Sequence, residues 1–469
     1  MNCLHEIFFD AALDDARKLD EYFAQHGKVV GPLHGVPVSL KDQFHVKGVD
    51  TSMGYVGWIG TFEGKKEDPR YRTHESELVR ELRALGAILY CKTAVPHTLM
   101  SGETANNIIH YTWNPKNRFL SAGGSSGGEG ALIALRGSPL GLGTDIGGSV
   151  RIPSAFNGLY GLRPSSGRIP YQGAANSMDG QNSILSVIGP MGTTLSAIRL
   201  MTKSILSQQP WLYDPMVVPM PWREHEDQAV RDRISGTDSR KLSFAVQHSD
   251  GLVTPHPPVA RAIQRIVDAV QKAGHQVLEW EPPYHEKGIE ITSHAWRYDG
   301  GKDAHEALAL SGEPIVPNVA MTFGHEIKPE LYASDLAKNN VAIREWKKAQ
   351  LDAWNSTSSQ TGTALPIDAI ISPVAPFAAA RPTRYIYYGY TMTINTLDLT
   401  SVVIPVLTAD QDVDKPYTSF HKASDLDGEI QNDYDPALYH GTPVSIQLIG
   451  RRHDEEKMLA IAEYVAGLL

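Results

Sequence analysis

The sequence is poor in three features that would each assign it to a class of proteins. It has two cysteines, Cys3 and Cys91, which excludes a disulfide scaffold and a cysteine-rich metal site. Its apolar segments are short, and the most apolar one, residues 364–380, is interrupted by Asp368 and by three prolines, so we expect no membrane-spanning helix. It also lacks an excess of positive charge, because 43 Lys and Arg residues oppose 53 Asp and Glu residues, for a net charge of −10.

These shortages narrow the range of partners. The sequence has no cluster of basic residues that could bind along a phosphate backbone, so nucleic-acid binding is not expected. The few cysteines, and residues 1–5, which do not resemble a signal peptide, favour a reducing compartment, and we expect a cytoplasmic protein. The His-Glu pairs never continue to His-Glu-x-x-His, and no Cys or Asp cluster has metal-ligand spacing. We therefore expect neither a metal nor another cofactor.

Helix-like and strand-like segments alternate along the chain, which predicts the α/β class with helices layered on a sheet. An amphipathic helix is predicted over residues 6–26, with Gly27 as its stop. The later alternation comprises strands at 37–41, 87–91, 242–246, 277–280 and 444–449, and helices at 75–85, 259–273 and 454–469. The polar segments 207–240 and 411–437 are predicted to be surface excursions rather than domain boundaries. We therefore expect residues 1–469 to form a single domain.

Two glycine-rich segments carry the candidate chemistry. They read Gly123-Gly-Ser-Ser-Gly-Gly-Glu-Gly130 and Gly141-Leu-Gly-Thr-Asp-Ile-Gly-Gly-Ser-Val-Arg151. Glycines of this kind can cradle a phosphate, but the dinucleotide-binding spacing would need a third glycine where Ile146 stands. No Gly-Lys-Ser/Thr completes a P-loop either. The spacing thus disfavours a phosphate site.

A nucleophilic serine is the other interpretation of these segments. Ser126 stands at the centre of a Gly-x-Ser-x-Gly pattern, but the polar residues 114–122 precede it instead of a buried strand, so a Ser-His-Asp esterase remains an alternative only. A lysine can also activate a serine if burial lowers the pKa of its amine. Lys41 ends the apolar run 36–40, where burial is expected, and Lys92 ends another such run as the rival base.

The chain resembles the amidase signature family. The resemblance rests on the two glycine-rich segments, on Gly35-Val-Pro-Val-Ser-Leu-Lys-Asp42, on Gly158-Leu-Tyr-Gly-Leu-Arg-Pro164 and on the C-terminal run 441–450. It implies an α/β/α layered fold, in which helices flank a central mixed β-sheet, with a catalytic core at residues 31–200. Matched residue by residue, it places the family's lysine on Lys41, its relay serine on Ser125 after a cis peptide bond, and its nucleophile on Ser149.

The resemblance also implies an activity. A Ser-cisSer-Lys triad hydrolyses the C–N bond of a carboxylic acid amide through an acyl-enzyme, which gives the acid and ammonia or an amine. We expect the backbone N–H groups of Ile146, Gly147, Gly148 and Ser149 to hold the oxyanion of the tetrahedral intermediate. The polar residues around this loop, Thr144, Asp145 and Arg151, are interpreted as its scaffold, with an ion pair between Asp145 and Arg151. Glu129 is interpreted as a first-turn acid that complements a helix dipole.

Finer expectations come from runs at residues 41–45 and 53–58, which look most like fungal acetamidase-type amidases, with fatty acid amide hydrolase a more distant relative. The segment from Leu99 to Gly102 is implied to form a wall of the acyl pocket, in which Gly102 leaves room. The comparison with the family leads us to expect a shortened N-terminal helical layer, which bears on whether the protein forms a homodimer. The expected partner is a small-molecule amide. The alternatives are an amidotransferase subunit that feeds ammonia to a partner and a non-catalytic binding protein on the same scaffold.

Overall fold

The structure, a computed structural model, describes residues 1–469 and contains thirteen β-strands. Eleven of them form one sheet, and β4 and β5 form a separate hairpin. The strands are β1 (Leu4–Ile7), β2 (Pro37–Lys41), β3 (Ile88–Thr93), β4 (Ala105–Asn106), β5 (His110–Tyr111), β6 (Leu140–Asp145), β7 (Tyr160–Arg163), β8 (Val187–Gly192), β9 (Ser243–Val246), β10 (Gln276–Glu279), β11 (Ala369–Pro373), β12 (Ser401–Thr408) and β13 (Pro443–Ile449).

The large sheet is mixed, with the strand order β1-β3-β2-β6-β8-β7-β12-β13-β11-β9-β10. Strands β3, β2 and β6 run parallel to one another, as do β11, β9 and β10. The remaining neighbours are antiparallel. The prediction of an α/β fold, with a central mixed sheet between helices, is therefore confirmed.

Fifteen α-helices surround the sheet, and none is both long and apolar enough to cross a membrane. The helices are α1 (Phe9–His26), α2 (Glu77–Ala84), α3 (Gly127–Ala134), α4 (Arg151–Asn157), α5 (Leu195–Ser207), α6 (Glu224–Ser235), α7 (Pro257–Lys272), α8 (His285–Trp296), α9 (Lys302–Ala309), α10 (Pro317–Phe323), α11 (Ala333–Ser356), α12 (Gly389–Leu397), α13 (Asp425–Asn432), α14 (Pro436–Tyr439) and α15 (Glu455–Leu468). Two of them, α6 and α13, lie in the segments predicted to be surface excursions.

The helices that cover the sheet follow the expected apolar spacing. In α7, Pro257 occupies the first turn, where its missing N–H costs nothing, and the helix buries apolar residues three and four positions apart. These residues are Val259, Ala262, Ile263, Ile266, Val267 and Val270. They belong to a cluster of 63 buried apolar residues that extends from Leu33 to Val465. Each fully buried large apolar side chain contributes about 1.5–3 kcal/mol to folding, so this core holds early and late segments of the chain together.

The first helix differs from its prediction. It begins at Phe9 rather than at residue 6, because Leu4–Ile7 pairs with β3 as an antiparallel edge strand. Gly27 ends it as expected, with a φ of 63° and an N–H that donates to the carbonyl of Phe23. Its apolar face is only partly covered, since Phe9, Leu13 and Phe23 are each more than half exposed. The amphipathic pattern identified a helix but did not indicate its packing.

Candidate active site

Two strands and two helix starts bring the predicted residues together. Lys41 is the last residue of β2, Ser125 lies two residues before α3, and Ser149 lies two residues before α4. Because β2 and β6 pair in parallel, with Leu40 opposite Leu142, Lys41 lies beside the end of β6 from which the second glycine-rich segment leaves the sheet. Helix starts and parallel strand ends are common positions for functional groups.

Lys41 is completely buried, as its position at the end of an apolar run predicts. Its Nζ lies 2.8 Å from Ser125 Oγ and 2.7 Å from Thr144 Oγ1. Burial lowers the pKa of Lys41 to about 7, although the negative charges of Asp145 and Glu129 act in the opposite direction. A large fraction of this lysine is therefore neutral at neutral pH, which is the form that can accept a proton.

The rival lysine has other partners. Lys92 is also buried, but its Nζ lies 2.6 Å from Asp42 Oδ1 and donates to the carbonyl of Asp50 and to Thr51 Oγ1. These three acceptors occupy the ammonium group of Lys92, and none of them is a candidate serine. Lys92 thus forms a structural ion pair with Asp42 and is not a candidate base.

The first glycine-rich segment positions Ser125 next to Lys41. The peptide bond between Gly124 and Ser125 is cis, as the resemblance implies. Gly124 packs so closely on the backbone of Glu103 that a Cβ would lie 2.7 Å from it, and Gly123 has a φ of 81°. Only glycine fits these two positions without a shift of the backbone. The segment therefore presents the Ser125 hydroxyl to Lys41 on a backbone that leaves no space for side chains.

Ser149 lies on the neighbouring loop, 7% exposed, and its carbonyl accepts a hydrogen bond from the N–H of Ser126 at 3.3 Å. The four expected oxyanion donors are not equivalent in the structure. The N–H of Gly148 donates to Asp145 Oδ1 at 2.8 Å and is therefore already in use, which removes Gly148 from the expected set. The N–H groups of Ile146, Gly147 and Ser149 make no hydrogen bond within the chain, so three donors remain free for a ligand.

A buried ion pair shapes this loop, as the sequence predicts. The carboxylate of Asp145 accepts hydrogen bonds from Nε and Nη2 of Arg151, both at 3.0 Å. It also accepts hydrogen bonds from the backbone N–H groups of Gly148 and Val150. Burial alone would raise the pKa of Asp145, but Arg151 holds it well below its ordinary value. Arg151 in turn donates to Gln447 Oε1, to the carbonyl of Thr391 and to Asn395 Oδ1. The pair thus connects the loop to α12 and β13.

We expect Arg151→Met to destabilise the protein, because it leaves the buried carboxylate of Asp145 without its counter-ion. Removal of one partner of a buried pair costs about 3–5 kcal/mol of unfolding free energy. Urea unfolding followed by circular dichroism measures the change. Arg240→Met is the matched control, since Arg240 pairs with Asp238 at the surface and the variant should unfold near the wild-type midpoint. Equal midpoints for the two variants would show that the buried pair does not hold the loop.

Glu129 does more than complement a helix dipole. It lies in the first turn of α3, as predicted, but its carboxyl group is completely buried and faces the sheet. The carboxyl group accepts hydrogen bonds from the hydroxyl groups of Ser39, at 2.6 Å, and Thr93, at 2.9 Å. Burial raises the pKa of Glu129 to about 7. A Cβ at Gly141 would lie 1.9 Å from Glu129 Oε2, so glycine in β6 makes room for this carboxyl.

The elbow interpretation of Ser126 does not agree with the geometry. No strand leads directly into Ser126, since the preceding strand β5 ends at Tyr111. The Ser126 hydroxyl is buried between the N–H and the carbonyl of Thr144, at 3.3 and 3.4 Å. No histidine side chain bonds to it. The Ser-His-Asp esterase alternative therefore lacks its structural basis.

The contacts of two residues of the site, Thr144 and Gln43, were not predicted from the sequence. Thr144, which is predicted to be part of the scaffold, accepts a hydrogen bond from Lys41 and donates to Gln43 Oε1 at 2.8 Å. Gln43, to which the run 41–45 assigns no role, donates in turn to the hydroxyl of Tyr171 at 2.7 Å and to Asn176 Oδ1 at 2.9 Å. The sequence signal for Gln43 is its place two residues after Lys41, within the acetamidase-like run 41–45.

Two cavities meet at the nucleophile candidate. One of about 250 Å³ includes Ser125 and Thr144, and one of about 470 Å³ has a largely apolar lining, while Ser149, Leu99 and Ile146 line both. The apolar cavity is lined by residues such as Ile289, Trp296, Met321, Tyr387, Met392 and Leu426. Ser149 therefore lies between a polar and an apolar space.

The expected role of Gly102 in the acyl pocket is wrong. A Cβ at Gly102 would lie 2.4 Å from the ring of Tyr385, and its N–H donates to the hydroxyl of Tyr388 at 2.7 Å. Tyr385 thus fills the space that a missing side chain was expected to leave open. Leu99, by contrast, does lie on the wall of both cavities.

Known proteins share this architecture. Residues 1–459 match the family model described as Amidase. The acetamidase of Emericella nidulans is 48% identical over 472 residues, which cover 100% of this chain and 83% of that protein. The acetamidase of Aspergillus oryzae is 46% identical over 472 residues, with the same shares of 100% and 83%. A solved structure of a fatty acid amide hydrolase has a TM-score of 0.89 and 32% identity, with 100% of this chain and 79% of that one covered.

Proposed function

Because the chain belongs to the amidase signature family of amide hydrolases, we propose that Ser149 is its nucleophile, Ser125 its proton relay and Lys41 its base. The observation that carries this proposal is the contact of 2.8 Å between Lys41 Nζ and Ser125 Oγ, at the edge of a cavity that Ser149 also lines. The low pKa of Lys41 supports its role as a base, because a neutral amine can accept the proton of a hydroxyl.

The proposed reaction has two halves. Ser149 attacks the amide carbonyl as its proton passes through Ser125 to Lys41, and the N–H groups of Ile146, Gly147 and Ser149 bind the negative oxygen of the tetrahedral intermediate. The proton then returns through Ser125 to the leaving nitrogen, and the C–N bond breaks to leave an acyl-enzyme. Ammonia or an amine departs at this point. In the second half, water gives up a proton through the same relay, attacks the acyl-enzyme and releases the carboxylic acid and free Ser149.

Substrate size is proposed from the cavities. Two relatives are acetamidases, so we include short aliphatic amides among the substrates. The apolar cavity of about 470 Å³ beside Ser149 is larger than an acetyl group needs. We therefore propose that longer acyl chains also bind there, with a higher kcat/KM than acetamide.

We expect the purified chain to release ammonia from acetamide and hexanamide without ATP or a partner protein, and to prefer hexanamide. Each buried methylene contributes about 0.8 kcal/mol, or roughly fourfold in kcat/KM where it fits the pocket. A coupled ammonia assay with acetamide, hexanamide, benzamide and a fatty amide measures the preference. Failure to release ammonia from every amide would refute the proposal. Activity that appears only with an added partner would favour the amidotransferase alternative.

A cytoplasmic location and a homodimer remain parts of the proposal. The free thiols of Cys3 and Cys91 support a reducing compartment. The exposed apolar residues of α1, such as Phe9 and Leu13, support a covered surface in the assembled protein.

A further inference from the structure

A third cavity, of about 380 Å³, lies apart from the catalytic site and shares no lining residue with the two cavities at Ser149. From the sheet it is lined by Gln247, just after β9, by Ile370 of β11 and by Ile449 of β13. Residues of helices α8, α11 and α12 also line it. Because Trp280, Trp346 and Trp354 line it, we call it the tryptophan cavity. Its volume lies within the range of small-molecule sites.

The interior of the tryptophan cavity is suited to an apolar body. The rings of Trp280 and Trp354 meet edge to face with their centroids 5.8 Å apart, an arrangement that offers flat apolar surface. Aliphatic side chains, including those of Ile394 and Leu399, complete the lining. A ligand ring or branched chain could pack against these apolar side chains.

The charged side chains that line the tryptophan cavity are all positive. Lys347, Arg451 and Arg452 line it, and no Asp or Glu does. Arg452 is neutralised by Asp398, with Nε 2.7 Å from Oδ2. Lys347 makes no ion pair, and the guanidinium of Arg451 donates to the neutral Asn355 Oδ1 at 2.7 Å while it lies over the Trp354 ring. Two cations thus lack a counter-ion.

Burial makes these two unpaired charges costly. It lowers the pKa of Lys347, although Asp398 acts in the opposite direction, and it lowers the pKa of Arg451, although Asp454 opposes it. A bound anion would offset this cost, and a carboxylate matches the planar fork of a guanidinium better than a single point acceptor does.

We propose that the tryptophan cavity binds a small monocarboxylate with an aromatic or branched apolar body, whose carboxylate contacts Lys347 and Arg451. Two free cations in a largely apolar space favour one carboxylate over a more highly charged phosphate, which would need more donors. Amide hydrolysis releases carboxylic acids, so the reaction of this enzyme is itself one source of such a ligand.

The test is calorimetric titration of the wild-type chain with 4-phenylbutyrate, whose outcome does not depend on turnover. We expect saturable binding, and binding at least about tenfold weaker in the double variant Lys347→Met, Arg451→Met, because each charge-assisted hydrogen bond is strong. Lys348→Met is the matched control: Lys348 is exposed beside Lys347 and pairs with Asp352, so affinity should not change. The neutral analogue 4-phenylbutanol should bind at least tenfold more weakly than the acid.

Equal affinity in the double variant and the wild type would overturn the proposal, since the ligand would then lie elsewhere, for example beside Ser149. No binding at millimolar concentration would overturn it as well. If circular dichroism shows that the double variant is unfolded, Leu351→Trp replaces it, because Leu351 lines the cavity and is 46% exposed at its edge. A larger side chain there should block entry, and unchanged affinity would count against the site.

Discussion

Ser149→Ala is expected to lower kcat for amide hydrolysis by roughly 10³-fold to 10⁶-fold, which is the range for loss of a serine nucleophile. The physical reason is that no other hydroxyl takes its place. Ser125 is held by Lys41, and Ser126 is buried between backbone groups of Thr144. Single-turnover kinetics with hexanamide, together with labelling by a fluorophosphonate probe, measure the loss.

Ser126→Ala is the matched control for this variant, since the two serines lie close together and only one has the proposed role. It should keep the fluorophosphonate label and most of the turnover, whereas Ser149→Ala should lose both. Labelling that persists in Ser149→Ala and disappears in Ser126→Ala would reverse the assignment of the nucleophile.

Lys41→Met should also remove most activity, by about 10²-fold to 10⁴-fold, the usual contribution of a general base. Met has an apolar chain of similar length to the lysine stem, so the variant loses the buried amine but keeps the packing of the side chain. We therefore expect the fold to persist. Lys348→Met, at an exposed lysine, should leave kcat unchanged. Undiminished turnover in Lys41→Met would exclude Lys41 from the mechanism.

The pH dependence of the wild-type enzyme gives an independent measure of the same role. The pKa of Lys41 is lowered to about 7, so the lysine is protonated and inactive as a base below that pH and neutral above it. The rate should therefore rise between about pH 6 and pH 8 and then level off. A profile that is flat, or that falls over this interval, would not fit a lysine base.

The sequence was most informative where function depends on short segments. The motifs around Lys41, Ser125 and Ser149 predicted which residues lie together, because each sits at the end of a strand or just before a helix. Strand β6 was harder to recognise, since its two glycines weaken the strand pattern. The reason for one of them, Gly141, is the carboxyl of Glu129 on a different element.

What sequence reasoning missed depends on contacts between distant residues. The filling of the space at Gly102 comes from Tyr385, more than 280 positions later in the chain. The use of the Gly148 N–H by Asp145 depends on a loop conformation that spacing does not specify. The amphipathic pattern of α1 was read correctly as a helix, but its exposed face shows that periodicity alone does not indicate a partner.

The hydrogen bonds of Arg151 have a consequence for protein synthesis. Its partners Thr391, Asn395 and Gln447 follow it by 240, 244 and 296 residues. A ribosome therefore finishes Lys41, Ser125 and Ser149 long before it makes the residues that complete the loop, and such distant contacts form late in folding. We expect nascent chains, and products of premature stop codons before residue 447, to remain catalytically silent although they contain all three residues of the proposed triad.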